Sequence, residues 1–261
     1  MQAFFEWTAW KTTPQSPYGA FHLIFAGVGL LLCVLLARRL RDTGKSGNRT
    51  VFLICGLLLL LLEGYRQLFY CFVFGNGQYV WRVLPFRLSN MPMYLFLPAA
   101  LLPKSRVKQS MYDFMTSYTL FAGIAALAEP SALLSEYVAL TVASLLQRLL
   151  IVFIGLYLGF SRRGGRRLSD FPRAVLLFAT FCAVSVGVEL LLREVPFGPV
   201  QVSQIGPVGS SLPVFKTLLE RFGWYVQTPA YLLSLTAGAF LAFFPFTRLR
   251  SRLLREQSVA A

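Results

Sequence analysis

Long apolar runs separated by short polar connections recur along the whole chain. Runs near the roughly 20 residues that cross about 30 Å of hydrocarbon as an α-helix cover Tyr18 to Ala37, Val51 to Phe74, Arg82 to Leu102, Gln109 to Ala128, Tyr137 to Phe160, Pro172 to Leu192 and Gly223 to Phe246. They are too long for barrel strands and lack the alternation such strands carry. The pattern predicts an all-α polytopic membrane protein: seven transmembrane helices in a single integral membrane domain over residues 1–261. Asp113, Ser117 and Thr119 make the fourth run the least apolar of the set.

The basic residues set the orientation. Arg38, Arg39, Arg41, Lys45 and Arg49 follow the first span, and Lys104, Arg106 and Lys108 follow the third. Arg162, Arg163, Arg166, Arg167 and Arg173 surround the connection after the fifth, and Arg248, Arg250, Arg252 and Arg255 follow the seventh. Alternate connections are therefore basic, while the others mix Lys11, Arg82, Arg193, Lys216 and Arg221 with Glu6, Glu129, Glu136, Glu194 and Glu220. Positive residues stay on the cytoplasmic side, so the expected topology has the N-terminus outside and the C-terminus cytoplasmic. An odd number of crossings is required, which supports the fourth span independently of its hydropathy.

Composition agrees with a multi-pass protein of the cell membrane: 56% of residues are hydrophobic and 14% charged. A net charge of +14 and a pI near 10.1 would point to nucleic acid in a soluble protein. Here the charge sits in short loops beside the spans, where it sets topology and meets anionic lipid. Membrane lipid, anionic phospholipid included, is the expected partner, and nucleic acid is not.

Several local patterns carry no chemistry. "TGKS", Thr43 to Ser46, lacks the upstream glycine of a phosphate loop, Arg39 standing in its place. "NRT", Asn48 to Thr50, has the glycosylation pattern but falls on the expected cytoplasmic side. Cys33, Cys55, Cys71 and Cys182 are scattered without metal or redox spacing, so they read as small buried hydrophobes and no metal or cofactor is expected. The start "MQAFFEW" lacks the basic region of a cleavable signal, and its aromatic residues suit the membrane interface.

The polar residues inside the spans are the candidate chemistry. Read from the topology, His22, Arg66, Arg87, Glu189, Gln227 and Tyr231 fall in the outer half, Glu63, Ser89, Asn90, Gln147 and Arg148 near the middle, and Asp113 near the cytoplasmic edge. A charge at the bilayer centre costs at least about 2.5–3.5 kcal/mol, so these residues are expected to face one another or a wet cavity. Glu63 and Glu189 either neutralise the arginines in a structural network or share the space with a ligand. The count favours a ligand, because Arg66, Arg87 and Arg148 outnumber the two carboxylates, and the guanidinium fork suits phosphate or carboxylate. Pro92 and Pro98 interrupt the third span beside Ser89 and Asn90; each removes a backbone donor, producing either a kinked packing helix or a polar cavity. The Pro- and Gly-rich connection from Arg193 to Arg221 reads as a linker or as a cover over the outer mouth. No internal repeat is evident, which disfavours a transporter built from repeats.

The segments "FHLIFAGVGLLL" with His22, "LLLLLEGYRQLFY" with Glu63, "LPFRLSNMPMYLFLPAALL", "SLLQRLLIVFIGLYL" and "FGWYVQTPAYLLS", in this order and spacing, resemble the YwaF family of bacterial integral membrane proteins. That family is related to the eukaryotic transmembrane protein 164 acyltransferases. The resemblance implies a membrane acyltransferase in which a cysteine of the third span, in a pattern like "LPLHLC", forms a thioester, with a histidine of the fifth span as its base. A fatty acyl chain then moves between phospholipids. The corresponding positions here read Arg87, Ser89 and Arg148. Arginine stays protonated and cannot serve as a base near neutral pH, and a serine hydroxyl needs a stronger base than a thiol.

The expectation is therefore an outward-facing polar cavity for an anionic lipid or amphiphile, held by Arg66, Arg87, Arg148, Glu63, Asn90, Gln147 and Glu189, in a divergent relative of phospholipid acyltransferases. Two alternatives stay open: acyl transfer by Ser89 with His22 as its base, since their depths differ by about one helical turn, and transport of a small anion.

Overall fold

The computed structural model describes residues 2–13, 16–85, 90–192, 205 and 212–259, without the side chains of Arg82, Pro213 and 249–259. Among the described residues the protein is helical, and the β-pairing consists of an isolated bridge between Lys11 and Tyr137. In chain order the α-helices are α1 (Gln2–Thr8), α2 (Ala20–Arg39), α3 (Lys45–Phe69), α4 (Met93–Leu101), α5 (Arg106–Phe114), α6 (Leu120–Ala128), α7 (Val138–Phe160), α8 (Phe171–Leu191), α9 (Pro213–Phe222) and α10 (Trp224–Val259). A π-helical turn, Tyr70–Phe74, extends α3, and another, Met115–Thr119, joins α5 to α6.

Among the described residues, five helical stretches are long and apolar enough to cross a membrane: Ala20–Arg39, Lys45–Phe74, Val138–Phe160, Leu168–Leu191 and Trp224–Arg248. The protein is accordingly a multi-pass membrane protein. Two of the expected spans take other forms. In the third, the described helix is only Met93–Leu101, 9 residues. Pro92 stands immediately before it and has no amide to continue a helix inward; the carbonyls of Asn90, Met91 and Pro92 instead close its first turn, accepting from Met93, Tyr94 and Leu95 at 3.0–3.1 Å. In the fourth, Thr116 and Ser117 donate back to the carbonyls of Tyr112 and Asp113, at 2.8 and 2.7 Å, and the helix widens into its π-turn there. Hydroxyl groups bonding to the preceding turn bend helices in this way.

Helix α7 is the centre of the bundle. In its apolar stretch 67% of the residues are buried inside the protein, against 17–28% in the other four, and a helix apolar all round is stable only when enclosed. Without a hydrophobic drive between helices in lipid, close approach comes from small residues. A Cβ on Gly155 would lie 2.7 Å from Leu120 Cβ and 2.9 Å from the Met115 carbonyl, so α7 meets the π-turn and α6 backbone to backbone. Gly159, one turn on, receives the Phe246 ring of α10, and Gly29 of α2 receives Leu149 of α7.

Polar bonds tie each end of the bundle. At one end the Tyr157 hydroxyl donates to Asn48 Oδ1 at 3.1 Å and accepts from Arg163 at 2.9 Å, while Thr43 bonds to it at 2.7 Å. Asn48 in turn donates to the Tyr112 hydroxyl at 3.1 Å, and Arg163 also reaches the Thr43 carbonyl. The asparagine of the "NRT" pattern is thus a buried bridge between α3, α5 and α7. At the other end the Glu136 carbonyl accepts from the Thr12 amide at 2.8 Å, Tyr18 donates to Glu129 at 3.0 Å, and Phe5 of α1 stacks on Phe72.

Candidate functional site

Burying a carboxylate in a bundle surrounded by hydrocarbon is tolerated only where cations and donors satisfy it. Glu63 of α3 is 4% exposed and meets this condition from two helices. Arg66, one turn along, grips it with both arms of its fork: Nη2 lies 2.6 Å from Oε1 and Nε 3.1 Å from Oε2. Gln67 donates to Oε1 at 2.6 Å, and Gln147 of α7 donates to Oε2 at 3.4 Å. Gln67 carries the network onward, donating to the Val83 carbonyl at 2.6 Å and accepting from the Tyr79 hydroxyl at 2.8 Å. Tyr94 of α4 donates to the Pro85 carbonyl at 3.1 Å. Val83 is thus tied to α3 and Pro85 to α4 by side chains that bond to their backbone carbonyls.

The expected site residues distribute as follows. Glu63, Arg66 and Gln147 are bonded into one cluster. Arg148 is buried beside Gln147 on α7, and Asn90 is buried at the turn that leads into α4. Arg87 and Ser89 lie outside the described residues. Glu189 is half-buried in the last turn of α8.

His22 sits elsewhere, at the start of α2. Its Nε2 lies 3.0 Å from the Leu127 carbonyl, and Tyr18 packs edge-on against its ring. A carbonyl only accepts, so the Nε2 proton is the one donated; Nδ1 is buried without a hydrogen-bond partner among the described residues. Asp113 is fully buried toward the other end of α5, where Oδ1 accepts from Gln109 at 3.1 Å and from the Gly165 amide at 3.0 Å. Gly165 adopts φ +64, a left-handed conformation that glycine takes without strain, and this aims its amide at the carboxylate.

Two features went unread in the sequence. Gln67 completes the Glu63 cluster, and its position four residues after Glu63 on a helix was the available signal. An apolar cleft with a cavity volume of about 80 Å³ opens between α5–α6, α8 and α10, with Pro92 in its wall. Its aromatic side chains, Phe114, Tyr118 and Phe121 on one helix and Phe178 and Phe181 on the next, have the helical spacing of ordinary core residues.

The sequence model of the TMEM164 family matches residues 15–246. No curated protein and no solved structure matches the chain.

Removing one member of a buried ion pair strands the other at a cost of about 3–5 kcal/mol. Glu63→Gln is therefore expected to lower the thermal stability of the detergent-purified protein sharply. The double variant Glu63→Gln/Arg66→Gln should recover much of the loss. Additive losses in the double variant would show that the two side chains act independently.

Proposed function

The chain belongs to the TMEM164 family, and from that premise we propose that this multi-pass membrane protein binds the headgroup of an anionic lipid or amphiphile in the polar core beside Glu63. In this reading it is a divergent relative of phospholipid acyltransferases. The observation that carries the proposal is the burial of Glu63, Gln147, Arg148 and Asn90 among helices of membrane-spanning length. Such a concentration of polar side chains is costly in hydrocarbon unless it serves a site. Charge balance gives the ligand its sign. In the expected set three arginines, Arg66, Arg87 and Arg148, stand against two carboxylates, Glu63 and Glu189. Arginine recognises phosphate through a fixed fork of donors, so Arg148, with Arg87 of the same set, is assigned to the headgroup. Gln147, held by Glu63, positions the adjacent stretch of α7. Fixed charge replaces the thiol and imidazole that the family resemblance puts at Ser89 and Arg148.

A second reading is supported by one contact. The Leu127 carbonyl accepts from His22 Nε2 and Nδ1 has no hydrogen-bond partner among the described residues, so Nδ1 is the nitrogen a general base would use. Acyl transfer would then use Ser89 as nucleophile. Purified protein, analysed by lipid mass spectrometry with and without a labelled acyl donor, separates the readings. Co-purified anionic phospholipid without transfer is the expected result. Transfer abolished by both Ser89→Ala and His22→Ala would support the second reading, and recovery of neither lipid nor transfer would contradict both.

We further propose seven crossings with the N-terminus outside. Phe74 packs on Tyr137 at the start of α7, whereas Tyr112 bonds to Asn48 near its end. The chain between them must pass from one end of the bundle to the other although α4 is short. Arg166→Cys should be protected from an impermeant thiol reagent in intact cells and Ser131→Cys should react. The reverse pattern would invert the orientation.

A further inference from the structure

We infer that α1 and the turn joining α9 to α10 form an aromatic collar seated in the boundary layer between lipid and water. The collar holds there by apolar insertion, not by attraction to charged headgroups. The pattern of α9 supplies its first element. Val214, Phe215, Leu218, Leu219 and Phe222 recur at the spacing of one helical face, and Lys216, Thr217, Glu220 and Arg221 take the opposite one. Phe215 meets the Tyr231 ring of α10 edge-on at 5.2 Å. The two rings are equally far along the chain from Gly223, so α9 folds back over the first turns of α10. Gly223, at φ +78, is the left-handed residue that this reversal needs. The contact covers only part of the apolar surface. Val214, Phe222 and Tyr225 are 60–70% exposed, and Trp224, which packs on Tyr225 at 4.7 Å, is exposed as well.

Register across the bundle places this patch at the lipid boundary. Phe246 of α10 lies against Gly159, in the last turn of α7. From Phe246 back to Trp224 the helix rises about 33 Å at 1.5 Å per residue, close to the roughly 30 Å of a hydrocarbon core. The start of α7, nearly the same rise from Gly159, carries α1: the Trp10 carbonyl accepts from the Val138 amide at 3.2 Å, and Lys11 pairs with Glu136 at 3.7 Å. Trp7 and Trp10 pack edge-on there and are exposed too. Two aromatic groups from distant parts of the chain thus face outward at one level, the depth at which tryptophan and tyrosine are enriched in membrane proteins.

The charges beside the collar give an anionic surface nothing to attract. In residues 2–13, 129–137 and 212–226, Lys11, Lys216 and Arg221 stand against Glu6, Glu129, Glu136 and Glu220. Lys216 pairs with Glu220 at 3.9 Å. An amphipathic helix with a balanced polar face binds through its apolar area, without the electrostatic gain that acidic lipid gives a basic one.

The test reads the fluorescence of Trp224, as the difference between the full chain and Trp224→Phe, in nanodiscs of phosphatidylcholine brominated either just beneath the headgroup or near the bilayer centre. Quenching is expected to be at least about twofold stronger from the shallow bromines, as residence in the interface implies, and weak with acrylamide added from the water. Replacing part of the lipid by phosphatidylglycerol, or raising the salt, should leave that ratio unchanged. Phe222→Glu should lower the shallow quenching and raise that by acrylamide, whereas Glu220→Lys on the polar face should do neither. Trp224 open to acrylamide and indifferent to bromine, or shielded from both by a second copy of the chain, overturns the collar. A ratio that moves with lipid charge overturns its apolar character. Should the substituted chains fail to accumulate, the total emission of the unsubstituted protein decides, because Trp7, Trp10 and Trp224 of its four tryptophans lie in the collar.

Discussion

The enclosure of α7 is the constraint from which the rest of the structure follows. A helix that touches lipid on one side keeps its polar residues off that side. A helix surrounded by protein can carry polar side chains in several directions, provided that its neighbours satisfy them. Gly155 and Gly159 let α6 and α10 close on α7, and Gln147 and Arg148 on the same helix lie in the interior. Gln147 then reaches Glu63 on α3, and at the far end Tyr157 gathers Thr43, Asn48 and Arg163.

Glu63 gives this packing a polar centre. A carboxylate at that depth fixes Arg66, Gln67 and Gln147 around it, and Gln67 fixes the chain at Val83.

What the sequence made legible was set by how local each signal is. The first, second, fifth, sixth and seventh spans follow from the length of their apolar runs alone, and five helices of that kind are present among the described residues. The third did not form the expected long helix, because Pro92 acts as a helix start rather than as a kink within one. The fourth carried its departure in Thr116 and Ser117, whose hydroxyls compete for backbone carbonyls, a choice that hydropathy does not register. Glu63 and Arg66 were readable as a pair because they are neighbours on one helix. The bond from Gln67 to the Val83 carbonyl was not, since no side-chain pattern announces which distant backbone group will be near. The cleft was hidden for a different reason: Phe114, Tyr118 and Phe178 look the same in sequence whether they fill space or leave it.

The central claim is that fixed arginine charge in the buried core selects an anionic lipid. Native mass spectrometry of the purified chain, offered equal amounts of phosphatidylglycerol and phosphatidylcholine, tests it most directly. The account predicts retention of phosphatidylglycerol in preference to phosphatidylcholine, with the preference lost in Arg148→Gln while the protein stays folded. Equal retention of the two lipids, or a preference unchanged in Arg148→Gln, would contradict it.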